Sequence, residues 1–260
     1  AGRTEEAVQA ARQAAALRAE SARFQARPAW VLYHAKRYDQ AQEEYLKLLD
    51  TFDPQYTSAA TRETVREARL ILSNICLLQG KVAQSEEWLE QVLDEFPEDA
   101  AALNDLGYLW ADQGRHLQRA LDMTRQASDA EPDNVAYRDS LGWAYFRLEK
   151  YPDAIRELER ASRGDHPDGV ILDHLGDAYW KSNQVEKAIT CWKKAAETFR
   201  GTQETENLRK TEAKLKPHAV PSTPATYPSR QSGDQQTRAG EQADQDAVVL
   251  VERRAESLLE

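Results

Sequence analysis

Asp173, His174 and Asp177 are the residues whose types and spacing could most readily form a chemical site. The two aspartates are four residues apart, so on a helix they share one face and could bind one metal ion. His174 lies about 100° around the helix from Asp173, and no further His or Cys stands at ligand spacing. Paired carboxylates on an exposed helix are ordinarily solvated, so we expect neither a metal nor a cofactor here.

The sequence offers no other pattern that is typical of catalysis. It has no glycine-rich phosphate loop, no nucleophile elbow and no zinc-binding pair. Cys76 and Cys191 are two small residues in predicted helices, and we expect both in or near the core. We therefore predict that the chain has no catalytic residues and is not an enzyme.

Charge and hydropathy exclude two classes of partner. The net charge of −10 argues against nucleic acid, because phosphate binding needs a basic surface. One basic cluster is interpreted as a solvated helix face, since no aromatic residues alternate with it; it comprises Arg209, Lys210, Lys214 and Lys216. No run of 18 apolar residues occurs, so no membrane span is predicted.

The elements that position these residues follow from a period of 34. The set after Gly142 recurs around Gly176, and around Gly107 with one residue inserted near His116. The three sets are Leu141, Gly142, Tyr145, Ala154 and Leu158; Leu175, Gly176, Tyr179, Ala188 and Trp192; and Leu106, Gly107, Trp110 and Ala120. A sustained period of this length indicates a repeat architecture.

The spacing inside each set predicts two helices that pack on each other. Steps of three and four residues place the set on one face of each helix. Glycine and alanine permit a close approach between the helices, and the large residues fill the space beside them. Such a pair cannot bury its apolar face alone, so we assign the whole set to the packing between helices of stacked repeats.

These three units closely resemble the tetratricopeptide repeat (TPR) of bacterial proteins. The resemblance implies an all-α fold: a right-handed α-solenoid of helix-turn-helix repeats. It also implies a protein-binding surface on the first helix of each repeat. In this family that surface lines the concave groove and binds peptides or partner proteins.

The period divides the chain into segments. The solenoid is predicted over 1–202, with a partial first repeat (1–20), a degenerate repeat (22–53) and repeats at about 66–99, 100–134, 135–168 and 169–202. Residues 203–217 are polar on most faces, which is typical of a capping helix. Residues 218–245 are predicted to be a disordered linker, and 246–260 recover the spacing of a short amphipathic helix.

Two local features depart from the regular pattern. Pro28 interrupts the degenerate repeat, and we expect it to open a short helix from Pro28 to Lys36. The turn of the repeat around Gly142 has Glu149 where its neighbours have Gly114 and Asn183. Glu149 must therefore either strain in a left-handed conformation or avoid it.

A second stripe on each first helix is the predicted partner-binding groove. Its members lie three before, one after and four after the anchor position, so they share a face distinct from the packing face. They are Leu70, Asn74 and Leu77; Asn104, Tyr108 and Ala111; Asp139, Trp143 and Phe146; and Asp173, Asp177 and Trp180, flanked by Arg147 and Lys181. Aromatic residues with polar neighbours are typical of binding hot spots. The alternative is that Trp143 and Trp180 pack against adjacent repeats.

The charge of this stripe predicts the kind of ligand. Some TPR domains bind a C-terminal carboxylate with lysine and asparagine, but Asp139 and Asp173 stand where a lysine would be needed. A ligand with Arg or Lys and apolar anchors fits an acidic, aromatic groove better.

We predict a non-catalytic scaffold or adaptor that binds a peptide or partner protein. The alternative is an accessory domain of a larger enzyme or envelope- or secretion-assembly protein whose active part lies before Ala1. The chain begins at Ala1 in mid-repeat, so we interpret it as a fragment, and we favour the cytoplasm over the periplasm or envelope.

Removal of residues 218–260 should leave the melting temperature nearly unchanged, because a polar, proline-rich segment buries little apolar area. Thermal unfolding followed by circular dichroism measures this. A decrease of more than about 4 °C would instead mean that the tail docks on the repeats.

Overall fold

The computed structural model describes residues 2–53, 58–164 and 167–218. Within these ranges the regular structure is entirely helical, as predicted for an all-α chain. The helices are α1 Gly2–Leu17, α2 Ala22–His34, α3 Tyr38–Phe52, α4 Ala59–Leu78, α5 Val82–Glu95, α6 Ala100–Asp112, α7 Leu117–Ala130, α8 Val135–Arg147, α9 Tyr151–Ala161, α10 Gly169–Lys181, α11 Val185–Thr202 and α12 Thr205–Leu215, followed by a 3₁₀ turn Lys216–His218. The segments predicted as linker and terminal helix lie outside the described residues, apart from residue 218.

The helices form two compact units, residues 2–102 and 103–218. In the first unit, α2 packs on α1, α3 and α4, and α4 also packs on α3 and α5. In the second, α8 packs on α7, α9 and α10, and α11 packs on α10 and α12. No helix of the described residues combines the length and apolar character that crossing a membrane requires.

A left-handed residue ends the first helix of each pair. Gly80 and Gly114 take positive φ values of 70° there, and glycine tolerates this conformation at no steric cost. Glu149 adopts it too, with φ of 59°, so the strained alternative is the one realised. The next amide then bonds the carbonyl five residues back, as in the 3.0 Å bond from Lys150 N to Tyr145 O.

Pro28 lies inside α2 rather than at its start, so the predicted short helix from Pro28 to Lys36 is wrong. Proline lacks an N–H and removes the bond to the carbonyl four residues earlier, which here belongs to Phe24. Because Phe24 is in the first turn of Ala22–His34, only one helical bond is lost near an end. The helix continues through Pro28, which is buried.

Two glycines set the distance between paired helices in the second unit. A methyl group on Gly142 would lie 2.6 Å from Leu158 Cγ, and one on Gly176 would lie 2.5 Å from Trp192 Nε1. Real Cβ atoms do not approach neighbours this closely. The large residue sixteen positions after each glycine therefore occupies the space that the missing side chain leaves.

The pair α4 and α5 uses serine where other pairs use glycine and alanine. Ser73 and Ser85 are both buried, and their hydroxyl oxygens lie 2.8 Å apart in a hydrogen bond. One hydroxyl donates and the other accepts, which offsets part of the cost of burying them. Small size, rather than an apolar side chain, is what the position requires.

Gly176→Ala should lower the free energy of unfolding by about 1–3 kcal/mol, because the new methyl group overpacks Trp192. Gly201→Ala is the matched control: Gly201 lies in α11 with no atom within 4 Å of an added Cβ. It should be neutral or stabilising by up to about 1 kcal/mol. Urea denaturation of both variants measures the difference, and equal effects would contradict the packing assignment.

Candidate functional site

A buried ion pair joins α8 to α10. His174 Nδ1 lies 3.0 Å and 3.1 Å from the two carboxylate oxygens of Asp139, and both residues are buried. Burial alone would lower the pKa of His174, but the Asp139 carboxylate outweighs it and, with Asp173 and Asp177, raises that pKa to about 9. The imidazole is therefore held as a cation at neutral pH. Asp139, predicted to face a ligand, instead binds its own chain.

Trp143 packs between neighbouring helices. Its ring stacks on His174 and on Phe146, with centroids 4.2 Å and 4.7 Å away. Its indole N–H donates to Asp112 Oδ1 at 3.2 Å, and the Arg147 guanidinium donates to the Asp112 backbone carbonyl. The alternative of packing against adjacent repeats thus describes Trp143, which is half-buried.

The Asp173–Asp177 pair binds a lysine of the following helix. Lys214 Nζ lies 2.6 Å from Asp173 and 2.8 Å from both carboxylate oxygens of Asp177. Burial opposes the charge of Lys214, but Asp177 and Asp173 outweigh it and raise its pKa. The ammonium thus occupies the position where a metal ion was considered. Lys214 is also not part of a solvated basic face, which corrects that interpretation.

Helix α12 holds Lys214 because it continues the register of the repeat. Adding 34 to Asp173, Asp177 and Trp180 gives Asn207, Thr211 and Lys214, the inward residues of α12. Thr211 is buried and donates to Asp173 at 2.9 Å. The sequence therefore contained the signal for these contacts: α12 takes the place of a first helix in a seventh repeat.

An open aromatic cleft lies beside these ion pairs. We use the name aromatic cleft for a cavity of about 370 Å³ whose walls come from α8, α10, α11, α12 and the 3₁₀ turn. It is lined by Phe146, Asp177, Trp180, Lys181, Trp192, Lys214 and Pro217. The Trp180 side chain is 40% exposed. Its ring lies 5.9 Å from the ring of Trp192, which sequence reasoning assigned only to packing.

The structure brings only part of the predicted groove to the surface. Phe146, Trp180, Lys181 and Asp177 line the aromatic cleft, whereas Arg147 supports Trp143. Asn104 and Tyr108 are buried and cannot contact a ligand as the chain stands. Helix α6 is buried both on its packing face and on the face predicted to bind a partner. A second helical face that the sequence spacing predicts is therefore not necessarily exposed to solvent. Asn74 is half-buried and belongs to the first unit.

The residues predicted to pack between helices are buried almost throughout. Tyr145 is the exception, being half-buried. Its hydroxyl accepts a hydrogen bond from Arg125 at 3.0 Å. The remaining members are Leu106, Gly107, Trp110, Ala120, Leu141, Gly142, Ala154, Leu158, Leu175, Gly176, Tyr179, Ala188 and Trp192.

The cysteines offer no nucleophile to this surface. Cys76 and Cys191 are both buried free thiols, and burial raises the pKa of each. A protonated, enclosed thiol is a poor nucleophile.

The aromatic cleft is an apolar recess with charged groups at its edge, which suits recognition of a side chain.

Family models described as tetratricopeptide repeat match three stretches of this chain. One model matches residues 77–118 and 115–170. A second matches residues 171–199. These stretches include α5 to α10 and most of α11, so the cleft residues Phe146, Trp180 and Trp192 lie within matched repeats.

Relatives and solved structures agree with these matches. A TPR repeat-containing protein of Pseudomonas aeruginosa is 36% identical over 99 residues, which are 38% of this chain and 17% of that protein. The chain spans about one sixth of the length of this and another curated relative. A thermophilic TPR protein of Thermus thermophilus is similar in structure, with a TM-score of 0.56 and 20% identity over 75% of this chain and 98% of that one. BtubC from P. vanneervenii gives a TM-score of 0.59 and 14% identity over 90% and 97%.

The Asp139–His174 pair should make stability fall as pH rises from about 6.5 to about 9. The folded pKa of His174 is about 9 and the unfolded pKa about 6.5, so in this window the folded state alone retains the proton. The stabilisation, on the order of 3 kcal/mol, is complete below pH 6.5 and lost above pH 9. Urea denaturation at pH 6, 7.5 and 9 measures this fall. Asp139→Asn should remove it, and an unchanged pH profile in that variant would refute the assignment.

Proposed function

Since this chain is a tetratricopeptide repeat protein, we propose that it is a non-catalytic scaffold that binds a peptide or partner protein at the aromatic cleft. Proteins of this family bind protein partners. The observation that carries the proposal is the cleft itself, an open aromatic recess on the first-helix face of two consecutive repeats.

The contact surface that we propose is smaller than the predicted groove. Phe146, Trp180 and Lys181 would touch the partner, with Trp192 as the floor of the recess. Partly exposed aromatic residues at the centre of a recess are typical binding hot spots. A cavity of about 370 Å³ falls within the range of ligand pockets and suits one or two side chains of a peptide.

The remaining groove residues would act indirectly. Trp143, held by Asp112 and stacked on His174, fixes the ring of Phe146 at the cleft wall. Arg147 joins the same contacts through the Asp112 carbonyl. We assign these residues the task of positioning the cleft rather than of touching the partner.

A second candidate is that the repeats are an accessory domain of a larger enzyme or assembly protein. Its support is that the second curated relative is named a probable UDP-N-acetylglucosamine–peptide N-acetylglucosaminyltransferase, SPINDLY, of Hordeum vulgare. It is 26% identical over 149 residues, which are 54% of this chain and 16% of that protein. In such a protein the cleft would present a peptide to an active site elsewhere.

Trp180→Ala should weaken partner binding by about 2 kcal/mol, or roughly thirtyfold, with little loss of stability. Peptides selected from a displayed random library on the whole chain provide the ligands, and isothermal titration measures their affinity. Trp30→Ala is the matched control, because Trp30 is 37% exposed, nearly as much as Trp180, but lies in the first unit. Its affinity should stay within about twofold.

Equal losses for Trp30 and Trp180, or selected peptides that bind Trp180→Ala undiminished, would place the binding surface elsewhere. The accessory-domain candidate makes a separate demand. If it holds, the selected peptides should also be substrates of the enzyme part of the longer protein, with a raised KM when Trp180 is replaced.

A further inference from the structure

We infer that the aromatic cleft binds an acidic peptide segment: one bulky apolar or aromatic side chain next to a carboxylate. This inference rests on the proposed function and names the chemistry of the ligand. It reverses the expectation of a basic ligand, which followed from counting Asp139, Asp173 and Asp177 along the sequence.

The first step is that the aspartates are already occupied. Asp177 accepts from Lys214 through both carboxylate oxygens and from the Trp192 indole at 3.0 Å. Asp173 accepts from Thr211 and Lys214, and Asp139 is bound by His174. A cation of a partner would have to displace the half-buried Lys214 ammonium from two carboxylates, so it would exchange one ion pair for another with little gain.

The second step is the charge that remains available. Lys181 is exposed and lines the aromatic cleft, and it forms no ion pair with the described residues. Beside it, the ammonium of Lys214 is already bound by the carboxylates of Asp173 and Asp177. A carboxylate at the cleft edge would therefore meet Lys181, a cationic side chain that none of these aspartates already binds.

The third step is the distribution of charge along the chain. Residues 169–218, which supply most of the cleft, contain nine Lys or Arg and seven Asp or Glu, although the whole chain has a net charge of −10. The acidic excess thus lies in other segments. The segment that supplies most of the cleft is therefore not acidic, and the net charge of the whole chain does not argue against an anionic ligand at this surface.

The fourth step is the shape and polarity of the recess. Phe146, Trp180, Trp192 and Pro217 supply its apolar walls. An aromatic ring of a ligand can lie edge-on or offset against rings spaced like those of Trp180 and Trp192. One apolar side chain fills the recess, and its acidic neighbour reaches Lys181 at the edge.

Nitrogen-labelled whole chain tests the inference through its six tryptophan indole signals, assigned by single Trp→Phe variants. The probes are three acetylated, amidated pentapeptides with central Asp-Phe-Asp, Lys-Phe-Lys and Asp-Ala-Asp. Asp-Phe-Asp should shift the Trp180 and Trp192 indoles with at least fivefold higher affinity than either of the others. Raising the salt concentration should weaken it, because an ion pair to exposed Lys181 is screened.

Lys181→Glu should abolish the preference for Asp-Phe-Asp and favour Lys-Phe-Lys. Lys193→Glu is the control with the same change of charge, since Lys193 is an exposed residue of α11 that does not line the cleft. It should leave the preference in place.

Each other outcome overturns the inference. A stronger response to Lys-Phe-Lys in the unaltered chain would refute the acidic ligand while leaving the proposed binding function intact. No shift of either indole at millimolar concentrations of all three peptides would count against both. Shifts of the same indoles on raising the protein concentration alone would identify a second copy as the occupant.

Discussion

The close approach of two helices at Gly176 is the constraint on which the binding surface depends. Because Gly176 has no side chain, the indole of Trp192 lies against the backbone of α10, and its N–H reaches Asp177. That contact orients a carboxylate which Lys214 then neutralises. The position of Trp192 at the floor of the cleft and the ion pair that joins α12 to α10 therefore both depend on the absence of a side chain at Gly176.

Two groups of charged side chains in the second unit join successive repeats. His174 of α10 binds Asp139 of α8, and Lys214 of α12 binds Asp173 and Asp177 of α10. Each interaction can form only when the neighbouring helix is in place. A buried charge without its partner is costly, so these pairs also disfavour any register that would separate them. Asp139, Asp173 and Asp177, which the sequence pattern assigned to a ligand surface, therefore form contacts between helices of the chain itself.

The repeated positions explain which features were predictable from the sequence. Gly142 and Gly176, with Leu158 and Trp192, fixed the helix pairs because sterics allow few residue types where backbones nearly touch. The fate of Trp143 was not predictable in this way, because its exposure depends on His174, Asp112 and the helices that present them. The position of Lys214 on the inward face of α12 was predictable, because it lies 34 residues after Trp180. The repeat pattern was not recognised there because α12 is polar on most faces. Pro28 misled because a proline within the second turn costs a helix only one bond.

Two walls of the cleft, Trp192 and Phe146, also take part in the packing of the core. Trp192 is buried, and Phe146 is stacked on a tryptophan that is itself bonded to Asp112, whereas Trp180 and Lys181 of α10 are exposed. Binding in such a recess therefore costs little conformational entropy at Trp192 and Phe146. The affinity then depends mainly on the flexibility of the partner and on the desolvation of Lys181. The same arrangement limits how the site can change. A substitution at Trp192 would alter ligand contact and helix packing together, whereas Trp180 and Lys181 can vary without disturbing the fold. Differences in specificity among chains built on this pattern should therefore concentrate at these two positions.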